Sequence, residues 1–196
     1  MKALLIALLG LTVFAAPAGA TPGDETPQWV QQAVAVKAPT YDKDVPAVVL
    51  VHESTTSIGS DGRVNKIYNF AVRILRREGR EFAIASASYV PDSSKVKDFR
   101  AWLIAPGKET KRYGKDNTVD VASEPNDVYN ESRAKTISAI DDADTGAVFA
   151  ASYTIEDRSI VGQDDWAFQT SLPVISSRYI ITVPEGWRAE AVTFNH

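Results

Sequence analysis

Two extended segments joined by a tight turn dominate the pattern of hydrophobic positions. From Val64 to Ile74 the apolar side chains recur at every second position on one side, and Lys66 is the only polar interruption. A period of two is typical of a β-strand that buries one face. Asp61-Gly62, between the segments, tolerates positive φ and allows a tight reversal. The stretch from Val48 to Arg76 therefore predicts a β-hairpin.

Further strands are predicted along the rest of the chain, each bounded by turn residues. They cover residues 82–90, 96–105, 134–140, 147–155 and 176–184, and one more strand is expected to begin at Ala189. The strands that flank the acidic turn 141–146 predict a second hairpin, whereas residues 111–132 are the least regular, with a short strand at 116–121 left open. Regular strands with turn signals and almost no helical periodicity predict an all-β fold, an antiparallel β-sandwich.

The N-terminal residues predict export. Residues 1–20 contain one lysine, a continuous apolar run from Ala3 to Ala16, and an Ala-x-Ala pattern that ends at Ala20, which together are typical of a cleaved signal peptide. Residues 21–45 form a proline-containing segment in which the spacing of apolar residues from Pro27 to Val36 predicts a short helix. We expect a periplasmic or secreted protein whose β-sandwich domain covers residues 46–196, with no stable membrane insertion after cleavage.

Composition narrows the range of functions. The chain has 196 residues and no cysteine, so stability must come from packing and backbone pairing, and all cysteine chemistry is excluded. Its net charge is −4. The basic groupings at residues 73–80 and 108–115 lie beside strands and turns, where charges commonly keep strand edges from pairing. We therefore expect no nucleic-acid partner.

The order of several segments resembles a known family. The segments are VLVHESTTSIGSDGRVNKIYNFAVRIL, VKDFRAWLIAPG, YNESRAKTISAIDDADTGAVFAASYTI and FQTSLPVISSRYIITVP, which together cover roughly residues 46 to 187. In this order they are similar to a β-rich bacterial domain of unknown function that precedes transglutaminase-like domains in exported proteins. The resemblance places Arg133, Ile137 and Gly146 where the family has an arginine, the start of a strand and a glycine before a strand.

The resemblance implies an accessory role rather than a reaction. The family continues into a papain-like domain with a Cys-His-Asp triad, but this sequence has no cysteine and ends at His196. The triad therefore cannot be carried over to any residue here. A stand-alone member, a truncated reading frame and one part of a larger product all stay open. The expected partner is a transglutaminase-like domain or another envelope protein.

Catalytic and metal sites find little support in the residues. His52 alternates with Ser54 and Thr56 in the first hairpin strand, which predicts a strand-surface imidazole, and His196 is terminal. Paired carboxylates keep a hydrolase formally open, because sequence spacing does not fix their separation. The aspartates of the 141–146 turn do not place carboxylates where a calcium loop needs them, so a polar turn is favoured. No catalytic, cofactor or metal residue is assigned.

Tryptophans offer a route to ligand binding, because sugars and peptides stack on exposed rings. Trp102 and Trp166 are the candidate ligand-binding residues, and Trp166, next to the polar run GQDD, is the better candidate for exposure. Three hypotheses result. The first is a non-catalytic exported accessory domain, the second an envelope module that binds peptide or glycan, and the third a carboxylate-based hydrolase.

Overall fold

A computed structural model describes residues 25–123, 132–158 and 163–194. The first 24 residues lie outside the described part, so the predicted signal peptide stays a prediction. The described chain contains one α-helix, α1 (Gln28–Ala35), and strands that we number in chain order: β1 (Ala47–Ile58), β2 (Val64–Ile74), β3 (Ile84–Tyr89), β4 (Ser94–Ile104), β5 (Lys111–Tyr113), β6 (Thr118–Ala122), β7 (Arg133–Ser138), β8 (Val148–Asp157) and β9 (Ser177–Thr182).

The strands form two sheets, which confirms the all-β, sandwich-like fold. The main sheet has six strands in the order β5-β4-β8-β2-β1-β9, and the small sheet has three in the order β3-β7-β6. One pairing differs from the expected antiparallel arrangement, because β9 pairs with β1 in parallel, from His52 opposite Ser177 to Ser57 opposite Thr182. A parallel pair needs a long crossover between its strands, which local alternation does not reveal.

The predicted first hairpin is confirmed. Strands β1 and β2 pair from Ala47 opposite Ile74 to Ile58 opposite Val64, with a bulge between Val49 and Val51. Gly62 at the turn has a φ of 78°, a conformation that glycine adopts without steric cost. The hairpin lies inside the main sheet, because β8 pairs with the free edge of β2 and β9 with that of β1.

The expected second hairpin is wrong. β7 joins the small sheet, between β3 and β6, whereas β8 pairs with β2 and β4 in the main sheet. The turn between them is therefore a crossover from one sheet to the other. The strand expected from Ala189 is also wrong, since residues 189–194 are not in a strand. The irregular stretch contains the short strands β5 and β6.

The main sheet buries both of its faces over part of its area. One face packs on the small sheet, where Val72, Phe149 and Leu103 meet Ala85 and Ile137 in the larger core. The other face packs on α1, where Leu50 and Trp102 meet Val30 of the predicted helix. This arrangement explains why β4 alternates two apolar sets, as the sequence predicted. None of the described helices is long and apolar enough to cross a membrane.

Several arginines that the sequence suggested as solvated edge charges have structural partners. Arg73 donates to the carbonyls of Val36 and Val34 at 2.9 and 2.8 Å, at the C-terminal end of α1. Arg80 donates to the carbonyl of Ile140 at 2.9 Å. A helix C-terminus leaves carbonyls without internal partners, so Arg73 both satisfies them and fixes α1 to β2. Arg73 and Arg80 thus stabilise the fold.

Candidate functional site

Aromatic side chains gather on the face of the main sheet that looks toward the small sheet. We call His52, Tyr68, Tyr153, Trp166 and Tyr179 the ring cluster. Alternate residues of a strand share one face, and the pairing places His52 opposite Ser177 and Tyr68 opposite both Ser54 and Tyr153. The register of four strands thus brings together rings from distant parts of the sequence.

Trp166 is the centre of the ring cluster. Its indole stacks on the imidazole of His52, with centroids 4.2 Å apart, and lies 5.9 Å from the ring of Tyr179 and 6.4 Å from that of Tyr68. Its Nε1 donates a hydrogen bond to Ser177 Oγ at 3.2 Å. Trp166 is half-buried, as is His52. The prediction that His52 is a strand-surface imidazole is wrong, because the indole of Trp166, which lies in the loop before β9, covers it.

Asp164 fixes the segment that carries Trp166. Its carboxylate accepts hydrogen bonds from Lys66 Nζ at 2.8 Å and from the Tyr179 hydroxyl at 2.7 Å. Burial by itself would lower the pKa of Lys66, but the hydrogen bond to Asp164 and the nearby negative charges outweigh it and raise that pKa. Burial raises the pKa of Tyr179. The ion pair with Lys66 and the hydrogen bond from Tyr179 hold this segment against the sheet.

Two hydroxyls are enclosed beneath the rings. Ser54 is 1% exposed and Thr56 is 2% exposed. Both lie beside phenols, those of Tyr68 and Tyr179, yet neither hydroxyl reaches hydrogen-bonding geometry with any described group. Nδ1 of His52 also lacks a partner in the described part of the chain, and burial lowers the pKa of this imidazole. A buried polar group without a hydrogen bond destabilises the fold.

A histidine belongs to the ring cluster, and Ser54 and Asp164 lie next to its tyrosines. Ser54 lies two residues from His52, but Nδ1 of His52 accepts no hydrogen bond from any described group. The carboxylate of Asp164 already accepts hydrogen bonds from Lys66 and Tyr179. A serine hydrolase needs an acid, a histidine and a serine in one hydrogen-bonded chain. Such a chain is not assembled among the residues described here.

Trp102 does not offer an exposed ring. It is 5% exposed and meets Trp29 of α1 edge to face, with centroids 6.1 Å apart. The expectation of an exposed platform is therefore wrong for Trp102, because the short N-terminal helix covers it. Trp187, at 50% exposure, is more exposed than Trp166 and was not singled out from the sequence.

The acidic turn works as a structural turn. Asp142 accepts a hydrogen bond from the Tyr113 hydroxyl at 2.8 Å and forms an ion pair with Lys111, whose Nζ lies 2.5 Å from the carboxylate. The hydrogen bond from Lys111, followed by that from Tyr113, lowers the pKa of Asp142. Gly146 has a φ of 86° before β8. In residues 25–123, 132–158 and 163–194 there is no group of three side chains that could hold a metal ion. His196 lies outside them.

A cavity that the sequence did not indicate lies at the open side of the sandwich. Its volume is about 490 Å³, and residues of β4, β5, β7 and the turn after β5 line it. We call it the cationic cleft, because four of its described lining residues are basic and one, Asp98, is acidic; the basic residues are Arg100, Arg112, Lys115 and Lys135. The first three cations belong to strand edges and a turn, so their convergence depends on the packing of the two sheets.

A second hollow, of about 400 Å³, lies near the turn of the first hairpin and brings carboxylates together. Asp92, Glu156 and Asp157 line it, together with Lys97 and other basic residues. Glu156 is ion-paired with Lys97 at 2.6 Å. This hollow is the place in the described structure where the hydrolase hypothesis can be tested.

Comparison with solved structures shows that this fold occurs in another protein. No curated protein matches the chain. A solved structure, of a putative protease from Parabacteroides distasonis, matches with a TM-score of 0.60 and 15% identity. The match covers 72% of this chain but only 29% of that one, so this chain corresponds to less than a third of the longer protein. At this identity the likeness establishes the fold alone.

A family match covers most of the chain. Residues 60–195 match the family described as a Domain of Unknown Function with solved structure, DUF3857. The matched range begins in the turn of the first hairpin and includes the ring cluster residues of β2, β8 and β9 as well as the cationic cleft. This protein belongs to the DUF3857 family.

Proposed function

We propose that this protein is a non-catalytic, exported accessory domain that binds a transglutaminase-like domain or another envelope protein. The observation that carries the proposal is the match to a longer chain. A fold of this kind occupies 29% of the Parabacteroides protein, so in that protein it is one part of a larger molecule. The resemblance of the ordered segments to domains that precede transglutaminase-like domains points to the class of partner.

The outer face of the small sheet is suited to such a partner. Ile84 on β3 is 40% exposed, and Val119 and Val121 on β6 are 59% and 50% exposed. Between them, Ser86 and Thr136 pair their hydroxyls at 3.0 Å. These side chains alternate with the inward-facing alanines and Ile137 and carry no charge. An exposed apolar patch is a common feature of interaction surfaces.

Co-purification tests the proposal. The chain would be co-expressed with a transglutaminase-like domain of an exported bacterial protein, and the mixture would be analysed by gel filtration. We expect co-elution, which Val119→Lys should weaken by placing a charge on the outer face of the small sheet, which we call the docking face. Ile67→Lys is the matched control, because Ile67 is 39% exposed on the opposite face of the main sheet. Separate elution of the wild-type proteins at micromolar concentrations would refute the partner assignment.

The non-catalytic part has its own test. The purified chain would be incubated with casein, with a peptide ester and with aryl glycosides, and product would be measured over hours. We expect no turnover above that of the buffer. Reproducible turnover that one of Asp92→Asn, Glu156→Gln or Asp157→Asn removes would favour the hydrolase instead.

The binding-module alternative now depends on Trp166. Its indole lies with three other rings, and aromatic rings are the groups on which sugars stack. Trp166 fluorescence would follow a titration with peptidoglycan fragments, and Trp166→Phe would remove the signal. Saturable quenching that Trp187→Phe leaves intact would favour this alternative over a purely accessory role.

A further inference from the structure

We propose that the cationic cleft binds a small ligand that carries one oxyanion, a carboxylate or a phosphate, on an apolar or aromatic body. The inference goes beyond the accessory role and does not depend on it. Lys135 lines the cleft from the inner face of the small sheet, whereas the docking face lies on the outer side of the same sheet.

Apolar side chains line the cleft from both faces of the main sheet, around the open edge of β4. Phe99 is 8% exposed, and Trp102 and Tyr113 are each 5% exposed, yet all three contribute to the lining. They come from two adjacent strands, with Trp102 of β4 opposite Arg112 of β5. Ligand pockets of small molecules are typically concave, mostly apolar and roughly 300 to 1,000 Å³ in volume. The volume of the cleft, about 490 Å³, lies in this range, and the lining combines the three apolar rings with charged side chains.

The rim of the cleft is basic on a chain that is acidic as a whole. Arg100 and Lys115 have no ion-pair partner among the described residues. The ammonium group of Lys135 lies 5.6 Å from the ring centroid of Tyr89. Cations that line one cavity repel one another, and a bound anion relieves that repulsion. Arginine and lysine are also the side chains that pair most strongly with carboxylates and phosphates.

The backbone of β4 is irregular beside the cleft and leaves part of its edge unpaired in the described structure. β4 has a bulge between Lys97 and Arg100, and Asp98 within the bulge has a φ of 51°. β5 pairs only with residues 101–103 of β4, so the N-terminal half of β4 presents an open edge in the described structure. Bulges that bend a strand and leave backbone groups unpaired are frequent next to binding sites. The N–H groups of this edge can donate to an oxyanion.

Substitution of Asp98 should change anion binding in a defined direction. Asp98 is the one carboxylate among the described residues that line the cleft, and its charge opposes an incoming anion. Its left-handed conformation is disfavoured for most residues but tolerated by aspartate and asparagine. Asp98→Asn therefore removes the charge without adding backbone strain, and it should tighten anion binding.

Two-dimensional amide NMR of the purified chain provides the measurement. The protein would be titrated at constant ionic strength with phenyl phosphate, benzoate, inorganic phosphate and acetate. We expect saturable shifts in the amides of residues 98–100 and 114–115, with the two aromatic anions binding more tightly than the two inorganic or aliphatic ones. The comparison of phenyl phosphate with benzoate decides which oxyanion the cleft prefers.

Charge variants complete the test, with thermal unfolding as the check that each variant folds. Lys115→Gln and Arg100→Gln should each weaken binding about threefold to fivefold, as expected for exposed charge pairs. Lys108→Gln is the matched control, because Lys108 lies in the exposed turn before β5 and outside the lining. Three outcomes would each overturn the proposal. They are amide shifts spread over lysines throughout the chain, equal effects of Lys108→Gln and Lys115→Gln, and weaker binding by a folded Asp98→Asn protein.

Discussion

The indole of Trp166 lies over the imidazole of His52, with ring centroids 4.2 Å apart and planes at 29°. The two residues are 114 positions apart in the chain and come from a loop and a strand. The stack joins the segment before β9 to the first hairpin, next to the parallel pair of β1 and β9. The ring cluster is therefore part of what holds the edge strand in place.

Removal of the indole should destabilise the protein. Trp166→Ala deletes the stack on His52 and the hydrogen bond to Ser177, and for a half-buried ring we expect a loss of about 1 to 3 kcal/mol in the free energy of unfolding. Urea denaturation measures it. Trp187→Ala is the control, because Trp187 is 50% exposed, and its loss should stay below about 0.5 kcal/mol. Equal losses would show that the ring cluster does not stabilise the fold.

Stability should fall as the pH drops below the ordinary pKa of histidine. Burial lowers the pKa of His52 from 6.5. The unfolded chain therefore takes up a proton at higher pH than the folded protein does, and protonation favours unfolding. The contribution is fully present above pH 6.5 and is lost as the pH falls through the lower pKa of the folded state.

Substitution of His52 tests this pH dependence directly. The difference in unfolding free energy between wild type and His52→Gln should shrink from pH 7.5 to pH 5.5, measured by chemical denaturation at several pH values between roughly these limits. His196→Gln is the matched control, since His196 is the other histidine of the chain. A difference that is independent of pH would mean that His52 has the same pKa in both states.

The buried hydroxyls should be dispensable. Thr56→Val replaces an unpaired hydroxyl by a methyl group of similar size, so we expect an unchanged or higher stability, by up to about 1 kcal/mol. Ser152→Ala is the contrasting control, because Ser152 Oγ donates to Asn69 Oδ1 at 2.8 Å, and its loss should cost about 1 kcal/mol. A destabilised Thr56→Val protein would indicate a hydrogen bond at Thr56 in solution.

Gly79 should not tolerate a side chain. A Cβ at this position would lie 2.2 Å from the carbonyl oxygen of Pro46, a backbone atom that accepts hydrogen bonds from Leu75 and Arg76. Gly79→Ala should therefore cost about 2 to 4 kcal/mol, because the backbone at the start of β1 must shift. Gly114→Ala, with nothing within 4 Å of the added atom, should change stability by less than about 0.5 kcal/mol. Thermal unfolding of both variants measures the contrast.

The sequence by itself determined most of the local structure. Alternation of apolar residues located β1, β2, β4, β8 and β9, Asp61-Gly62 marked the turn of the first hairpin, and Pro27 with helical spacing located α1. These features depend on side chains within a few residues of one another, and their periodicity is visible along the chain. The two apolar sets of β4 even indicated a strand that is covered on both faces.

Only the tertiary structure decided how the strands combine and what they place together. Alternation of apolar residues indicates that a strand has a buried face, but it does not indicate which strand is its neighbour. The parallel β1–β9 pair and the separation of β7 from β8 were therefore not predicted. Trp102 is buried because α1 folds back over the sheet, and Trp166 covers His52 because β9 joins β1. The cationic cleft likewise exists only where the edge of one sheet meets the inner face of the other, because contacts between distant segments depend on packing rather than on local pattern.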